Sequence, residues 1–397
     1  MVVRFAKNLI CLSGIFSLCA NGAEKQTPYQ DSPYYDSVLS NESIGSIVST
    51  PYHLLYHTLD DTKEDAAPSS AFEVGKRIGK MFFLELPLIS YAKFYQHEFG
   101  HGFRARDFGH SVDYEFGLPY PYRLFTKNHD SYPARTIVRG RLETFEGSVV
   151  GIGGLEAELI LSQLLLNNAA KSGGIDRPIL NLYFFLKTST LLYGSTKENE
   201  SDSDVKNASW AEDVKTKALV SLLDPVLLSA ITANFDYLRN GNYSNSIPWF
   251  DLRELRLLPS LAYYLIPYGE SYEAQVLASF KENLVHMNVA DWRFVDPIDK
   301  NGKGTRGKFL RLRLLRELPS LRLAPSLDAS FSKQPYFESS SWTEVSNVWF
   351  VGLGTKFKFE NSFSLIASIG RKNKGYLPQT TINAGTIYSV GASFPAF

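Results

Sequence analysis

The stretch Trp349-Phe350-Val351-Gly352-Leu353-Gly354-Thr355-Lys356-Phe357-Lys358-Phe359-Glu360 changes character at every step. Its odd positions are mainly apolar, whereas the even ones, after Phe350, are Gly, Lys and Glu. Successive side chains of a strand point to opposite faces, so this period of two predicts a strand with one apolar and one polar face. A turn at Glu360-Asn361-Ser362 follows, and the pattern resumes with Phe363, Leu365, Ala367 and Ile369, which makes the pair a hairpin. Similar alternation runs through Tyr272–Lys281, Leu310–Leu314, Leu321–Phe331 and Ile382–Phe394, and Leu-Pro-Ser-Leu occurs at both 258–261 and 318–321. Residues 250–397 therefore read as an antiparallel region of about eight strands, several near the roughly 9–11 residues that cross a bilayer at a tilt.

Upstream of Trp249 the period is closer to 3.6. Helices are expected over Ile47–Leu59, Ala71–Leu86, Leu88–Asp107, and about 144–169, 178–193 and 208–239, with Pro87 breaking or kinking the second. Residues 110–135 show no clear period and read as loop, and 197–204 as an acidic, solvated loop. In the helical part the most apolar stretches are interrupted by charge, at Glu85, Glu156, Glu158, Lys187 and Asp224. That argues against spanning helices. The fold expected is α+β: a helical domain over 46–245, then an antiparallel β-barrel-like domain over 250–397. Two domains suit a chain of 397 residues.

Composition narrows the function. The 41 Lys+Arg balance 41 Asp+Glu, which argues against nucleic acid as a partner. Met1–Lys7 is basic, Asn8–Ala20 is mostly apolar, and Asn21-Gly22-Ala23 is small before the polar Glu24. This is the pattern of a secretory signal peptide over 1–23, followed by a flexible leader over 24–45. Both cysteines, Cys11 and Cys19, fall in that signal. The mature chain would then have no thiol, so any metal must be held by His and carboxylates.

An exported chain whose β-rich region ends on Phe397 resembles the bacterial outer-membrane β-barrels, although Pro395 departs from their terminal strand. The resemblance implies an outer-membrane location. A soluble β-sandwich packed on the helical half is the alternative, since it shows the same period.

The chemistry lies in His97-Glu98-Phe99-Gly100-His101. On a helix, residues i and i+4 share a face, so His97 and His101 can point at one ion. Glu98 is placed to reach a metal-bound water. The pattern resembles the HExxH zinc peptidases, the zincins. That resemblance implies Zn2+ as cofactor, a peptide or protein substrate, and Glu98 as the general base. Metzincins carry a further His six residues on, where this chain has Asp107, and His110 is off that pattern. Gluzincins instead take a Glu from a later helix, which implies Glu156, with its apolar neighbours Ile152, Leu159 and Ile160, as the third ligand. Glu158 is the weaker candidate, and a salt bridge from Glu156 to Arg104 or Arg106 is the competing role. Gly147, Gly151 and Gly154 should let this helix approach Gly100 and Gly102 closely.

The remaining candidates have ordinary readings. His53 and His57 are also four apart but lack a following Glu, His129 and His286 stand alone, and Asp224 before Pro225 reads as a helix cap. The function expected is a zinc-dependent endopeptidase of the bacterial envelope, held in the outer membrane with its active site facing the periplasm. A barrel protein with a purely structural zinc is one alternative. A site-2-type intramembrane protease, which the Gly before the second His resembles, is another.

Overall fold

The computed structural model describes residues 34–37, 39–59, 70–119, 121–122, 134–196, 213–295, 305–335, 345–359 and 363–393. The expected signal peptide, the 197–204 loop, the Glu360-Asn361-Ser362 turn, His129 and Phe397 lie outside the described residues, as do the side chains of His53 and His57.

The chain starts with a short strand, β1 (Tyr34–Asp36), and the helix α1 (Asn41–Leu59). The expected leader is thus partly structured: β1 pairs with the last strand of the sheet, and helix begins before residue 46. Helix α2 (Ala71–Lys80) runs through a π-helical turn (Met81–Glu85) into α3 (Leu86–Asp107). Pro87 does not break this path. It sits at the start of α3, where a missing N–H matters least. The carbonyl it cannot serve, that of Phe83, accepts instead from the Tyr122 hydroxyl at 2.5 Å.

Residues 110–135 are not all loop. Strands β2 (Ser111–Phe116) and β3 (Ala134–Arg139) pair antiparallel beside α3. Next come α4 (Thr144–Ser172), β4 (Gly174–Asp176), α5 (Arg177–Lys187), α6 (Ser189–Thr196), α7 (Val214–Ala218), a 3-10 turn (Leu219–Leu223) and α8 (Pro225–Asn240). Asp224 caps α8 as expected, accepting from the Val226 amide at 2.8 Å. Strands β5 (Ser244–Ser246) and β6 (Phe250–Leu252) lead into the sheet.

The sheet contains eight long strands: β7 (Leu255–Ile266), β8 (Gly269–Phe280), β9 (Asn283–Phe294), β10 (Thr305–Arg316), β11 (Leu323–Pro335), β12 (Val345–Lys358), β13 (Ser364–Lys372) and β14 (Gly385–Ser393). All pair antiparallel with their sequence neighbours, and β1 and β6 are added at the two ends to make a 10-stranded sheet. The expected closure is not found. Among the described residues no pairing joins the two ends, so this is an open sheet rather than a barrel.

Helices and strands share their cores. Ile152 and Leu155 of α4 pack with Trp292 and Phe309 of the sheet, and Leu165 with Leu258 and Leu277. Gln163 donates to Glu273 at 3.2 Å, and Lys187 to Ser260 at 3.0 Å. The expected change from helices to strands near residue 249 is present, but the two halves are welded along α4.

The sheet's polarity is inverted relative to a soluble core. On its outer face, laterally paired residues form two apolar rows. One is Val289, Leu310, Phe331 and Trp349, and the other is Leu314, Leu327, Leu353, Ile369 and Tyr388. Most are solvent-exposed, Leu353 at 61%. The inner face presents buried polar groups, among them Glu273, Gln275, Asn288, Arg311, Ser332 and Gln334.

Candidate metal-dependent active site

Helix α3 carries the HEFGH segment and packs against α4 almost backbone to backbone. A Cβ on Gly100 would lie 2.3 Å from the Gly153 carbonyl oxygen, and one on Gly153 would lie 2.7 Å from that of Gly100. The contact glycines are therefore Gly100 and Gly153. Gly102 faces the Tyr114 hydroxyl, and Gly147 has open space, so the expected glycine seam is only partly the real one.

This close crossing brings the two imidazoles together. His97 and His101 sit on one face of α3 with their Nε2 atoms 3.2 Å apart and their rings nearly perpendicular at 80°. The outer nitrogens are committed. His101 Nδ1 lies 2.6 Å from the Val150 carbonyl, which can only accept, and His97 Nδ1 lies 2.7 Å from the Glu158 carboxylate. Both Nδ1 atoms therefore carry the proton, and in the neutral rings both Nε2 lone pairs face the same point. Two acceptors that close repel unless a proton or a metal cation lies between them. Two nitrogens bound tetrahedrally to one Zn2+ at about 2.0–2.1 Å would be about 3.3 Å apart, close to the separation found.

Gly154 of α4 completes the cradle. A Cβ there would stand 2.5 Å from His97 Nε2 and 2.6 Å from His101 Nε2. Gly154→Ala is expected to remove tight zinc binding while leaving the far-ultraviolet circular dichroism of the folded protein unchanged. A variant that still binds one zinc per chain would contradict the shared cradle.

Glu98 is buried next to the pair, and its Oε2 accepts from Thr136 of β3 at 2.7 Å. The hairpin that was read as loop thus fixes the carboxylate expected to act as base.

Glu156 is not where a ligand would be. Both of its oxygens are held by Arg104, from Nη2 at 2.5 Å and Nε at 3.1 Å, and by the Gln379 amide at 3.0 Å. The competing reading, a salt bridge, is the observed one. Arg104 also donates to Asp107 and to the carbonyls of Leu377 and Thr380, which staples α3 and α4 to the β13–β14 connection. Burial alone would lower the Arg104 pKa, but Glu156 and Asp107 raise it well above its usual range. A carboxylate bound this fully has no reason to leave for a metal, so the third-ligand role expected for Glu156 is withdrawn.

Glu158 supports the site from outside. It holds His97 Nδ1, and Lys93 Nζ lies 3.8 Å from its other oxygen. Carboxylates in this position orient a metal-binding imidazole and raise its basicity.

Tyr193 of α6 was not foreseen. Its ring stacks on His97 at 5.2 Å and 10°, with its hydroxyl 3.3 Å from His97 Nε2. Lys93 Nζ lies over that ring, 5.2 Å from its centroid. No motif marks Tyr193 among 22 tyrosines, and only the fold brings it here. Among the described residues no three His, Cys, Asp or Glu side chains converge as a metal site. The donors assembled are thus two imidazoles with a phenol oxygen beside them.

No protein-family model matches the chain, and no curated protein matches it. Among solved structures, the crystal structure of OccK5 (OpdH) from Pseudomonas aeruginosa, an outer-membrane porin, is similar at a TM-score of 0.28 and 8% sequence identity. The match covers 37% of this chain and 47% of that one, so this chain spans less than half of that porin's length.

Proposed function

We propose that this protein is a zinc-dependent peptide hydrolase seated in the bacterial outer membrane. The observation that carries the chemistry is the pair of Nε2 atoms at 3.2 Å, each imidazole fixed by an acceptor at its other nitrogen, beside a buried Glu98. His97 and His101 would hold the ion, and Tyr193 is the nearest further oxygen. Zinc bound there would supply a polarised water and charge stabilisation for a peptide carbonyl. With an ion held there, Glu98 would take a proton from water and deliver it to the departing amine, and Thr136 keeps its carboxylate oriented. Glu158 holds the His97 tautomer, and the Tyr193 hydroxyl can donate to oxygen where negative charge develops.

Metal analysis of the purified protein tests the first step. One zinc per chain is expected, lost in both His97→Ala and His101→Ala. Metal-free wild type with undiminished function would end the hydrolase reading.

The inverted sheet supports the membrane placement. Apolar rows facing out and polar groups facing in are what a lipid-facing strand array requires. On β12, the outward Trp349 and Phe357 are eight residues apart, which spans about 26 Å at roughly 3.3 Å per residue. Aromatic side chains bracketing an apolar band of about 25 Å mark transmembrane strands. Leu353→Arg, placed midway in that band, is expected to weaken folding into phospholipid vesicles by about 2–4 kcal/mol. The same substitution on a water-facing surface would change stability by a few tenths. A negligible effect in vesicles would remove the membrane placement.

Connection lengths bear on which side the site faces. At one end of the sheet the strands are joined by 281–282, 317–322 and 359–363, and at the other by 267–268, 295–304, 336–344 and 373–384. Spanning barrels keep short connections on the periplasmic side and long ones outside. Arg104 bonds Leu377 and Thr380 in the 373–384 connection, and Ser148 bonds the Tyr268 amide in the 267–268 turn. These contacts put the HEFGH region near the long-connection end, which favours the cell exterior over the periplasm.

An intramembrane protease is less favoured. Among the described residues the single helix long and apolar enough to cross a membrane is α4, 94% of whose most apolar window is buried inside the protein, and the one other segment that passes is the pair Val214–Leu223 and Pro225–Asn240, bent by 74°.

A further inference from the structure

The even-numbered face of β12, whose Gly and Lys residues stand out in the sequence, lines a cavity that is partly open to solvent. Between the inner face of β10–β14 and the C-terminal half of α4 lies a cavity of about 440 Å3. Gly352 and Gly354 line it on the sheet side, where Phe350, Ser326 and Ser368 occupy the space a Cβ would need, and Lys171 of α4 and Lys356 of β12 both border it.

Most of the charge in this cavity is already matched. Arg311 and Arg313 both pair with Asp328, at 2.5 and 2.8 Å, and both reach Glu42. Lys358 pairs with Glu317 at 2.7 Å. Lys171 and Lys356 differ. Lys356 Nζ donates to the Ser393 hydroxyl at 3.0 Å, and among the described residues neither ammonium has a carboxylate within ion-pair distance. The charge of Lys171 is among those that lower the Lys356 pKa, after burial of that ammonium group. Two ammonium groups lining the same cavity give it a local cationic field that favours an anion. Of the carboxylates on the wall, Glu42 and Asp328 serve the two arginines, Glu317 serves Lys358, and Asp36 accepts from Ser40.

We propose that this cavity binds the phosphate group of a small ligand, with Lys171 and Lys356 as its two cationic anchors. A doubly charged oxyanion relieves both ammonium groups at once and accepts charge-assisted hydrogen bonds from each. A cation would meet two ammonium groups, and a neutral ligand would leave their repulsion in place. The site is separate from the HEFGH cradle and stands whether or not the chain is a hydrolase.

Calorimetric titration of the full-length folded protein in an uncharged detergent at neutral pH tests the proposal, with two probes. One is inorganic phosphate and the other is dihexanoyl phosphatidate, which separates free phosphate from a lipid headgroup. Saturable binding of either probe, weakening at high salt, is expected. Lys171→Met and Lys356→Met should each weaken it at least tenfold. Lys356→Arg, which keeps the charge, should bind within a few-fold of wild type, and Lys281→Met on the exposed β8–β9 turn should bind as wild type does. Binding of phosphatidate alone would assign the site to a lipid headgroup. Absence of saturable binding by both probes, or equal binding by wild type and Lys171→Met, would overturn the proposal. Circular dichroism of each variant distinguishes lost binding from lost folding, and Lys356→Arg gives the charge-dependent result even if a methionine variant fails to fold.

Discussion

Glu98→Gln is expected to lower hydrolysis of a fluorescent casein substrate by about 10²- to 10⁴-fold, the range that a lost general base costs. Zinc content should stay at that of wild type, since Glu98 is not a ligand in this arrangement. The glutamine can still accept from Thr136, so the local fold should persist. Joint measurement of activity and zinc makes the result decisive. Unchanged activity with zinc retained would leave His97 and His101 a structural role only, bracing α3 against α4. Loss of zinc together with activity would move Glu98 into the ligand set.

Arg104→Met is expected to destabilise the protein by about 3–5 kcal/mol, the cost of leaving a buried charge without its partner. Arg104 and Glu156 are both fully buried, and all the guanidinium's hydrogen-bonding nitrogens are used. Adding Glu156→Leu should recover part of that loss, because an apolar pair often replaces a buried ion pair without penalty. Recovery stays partial, since Asp107 and the Leu377 and Thr380 carbonyls also lose a donor. Urea unfolding of the two variants measures this. If Arg104→Met unfolds at the wild-type midpoint, the staple is not formed. If Glu156→Gln loses zinc while Arg104→Met keeps it, Glu156 is a ligand after all.

Local geometry is what the sequence expressed well. The pairing of His97 with His101 needs only one turn of helix, and the long strands need only alternation, so both could be read without tertiary knowledge. Roles set by distant partners were less legible. Glu156 and Glu158 are two residues apart on α4 and so point about 200° apart. One meets Arg104 and the other His97, and helical period alone cannot tell which neighbour waits on each side. Tyr193 is harder still, since its approach to His97 depends on how α6 packs. Closure of the sheet was likewise undecidable. It is settled at the edges, where β1 joins β14 and β6 joins β7, and the first of these pairings draws on residues expected to form a flexible leader.

The buried carboxylates of α4 also bear on the chain's journey before it folds. Over its most apolar window α4 has a mean hydropathy of 1.6, long and greasy enough for a secretion channel to release it sideways as an anchor. It is synthesised ahead of β7, so the strands that later cover it do not yet exist. A charged side chain near the middle of an inserting helix costs about 2.5–3.5 kcal/mol, and α4 carries two. On an export route, Glu156 and Glu158 would keep this helix moving through the channel, and they gain their folded partners, the Arg104 guanidinium and the His97 Nδ1–H, only when α3 packs against α4.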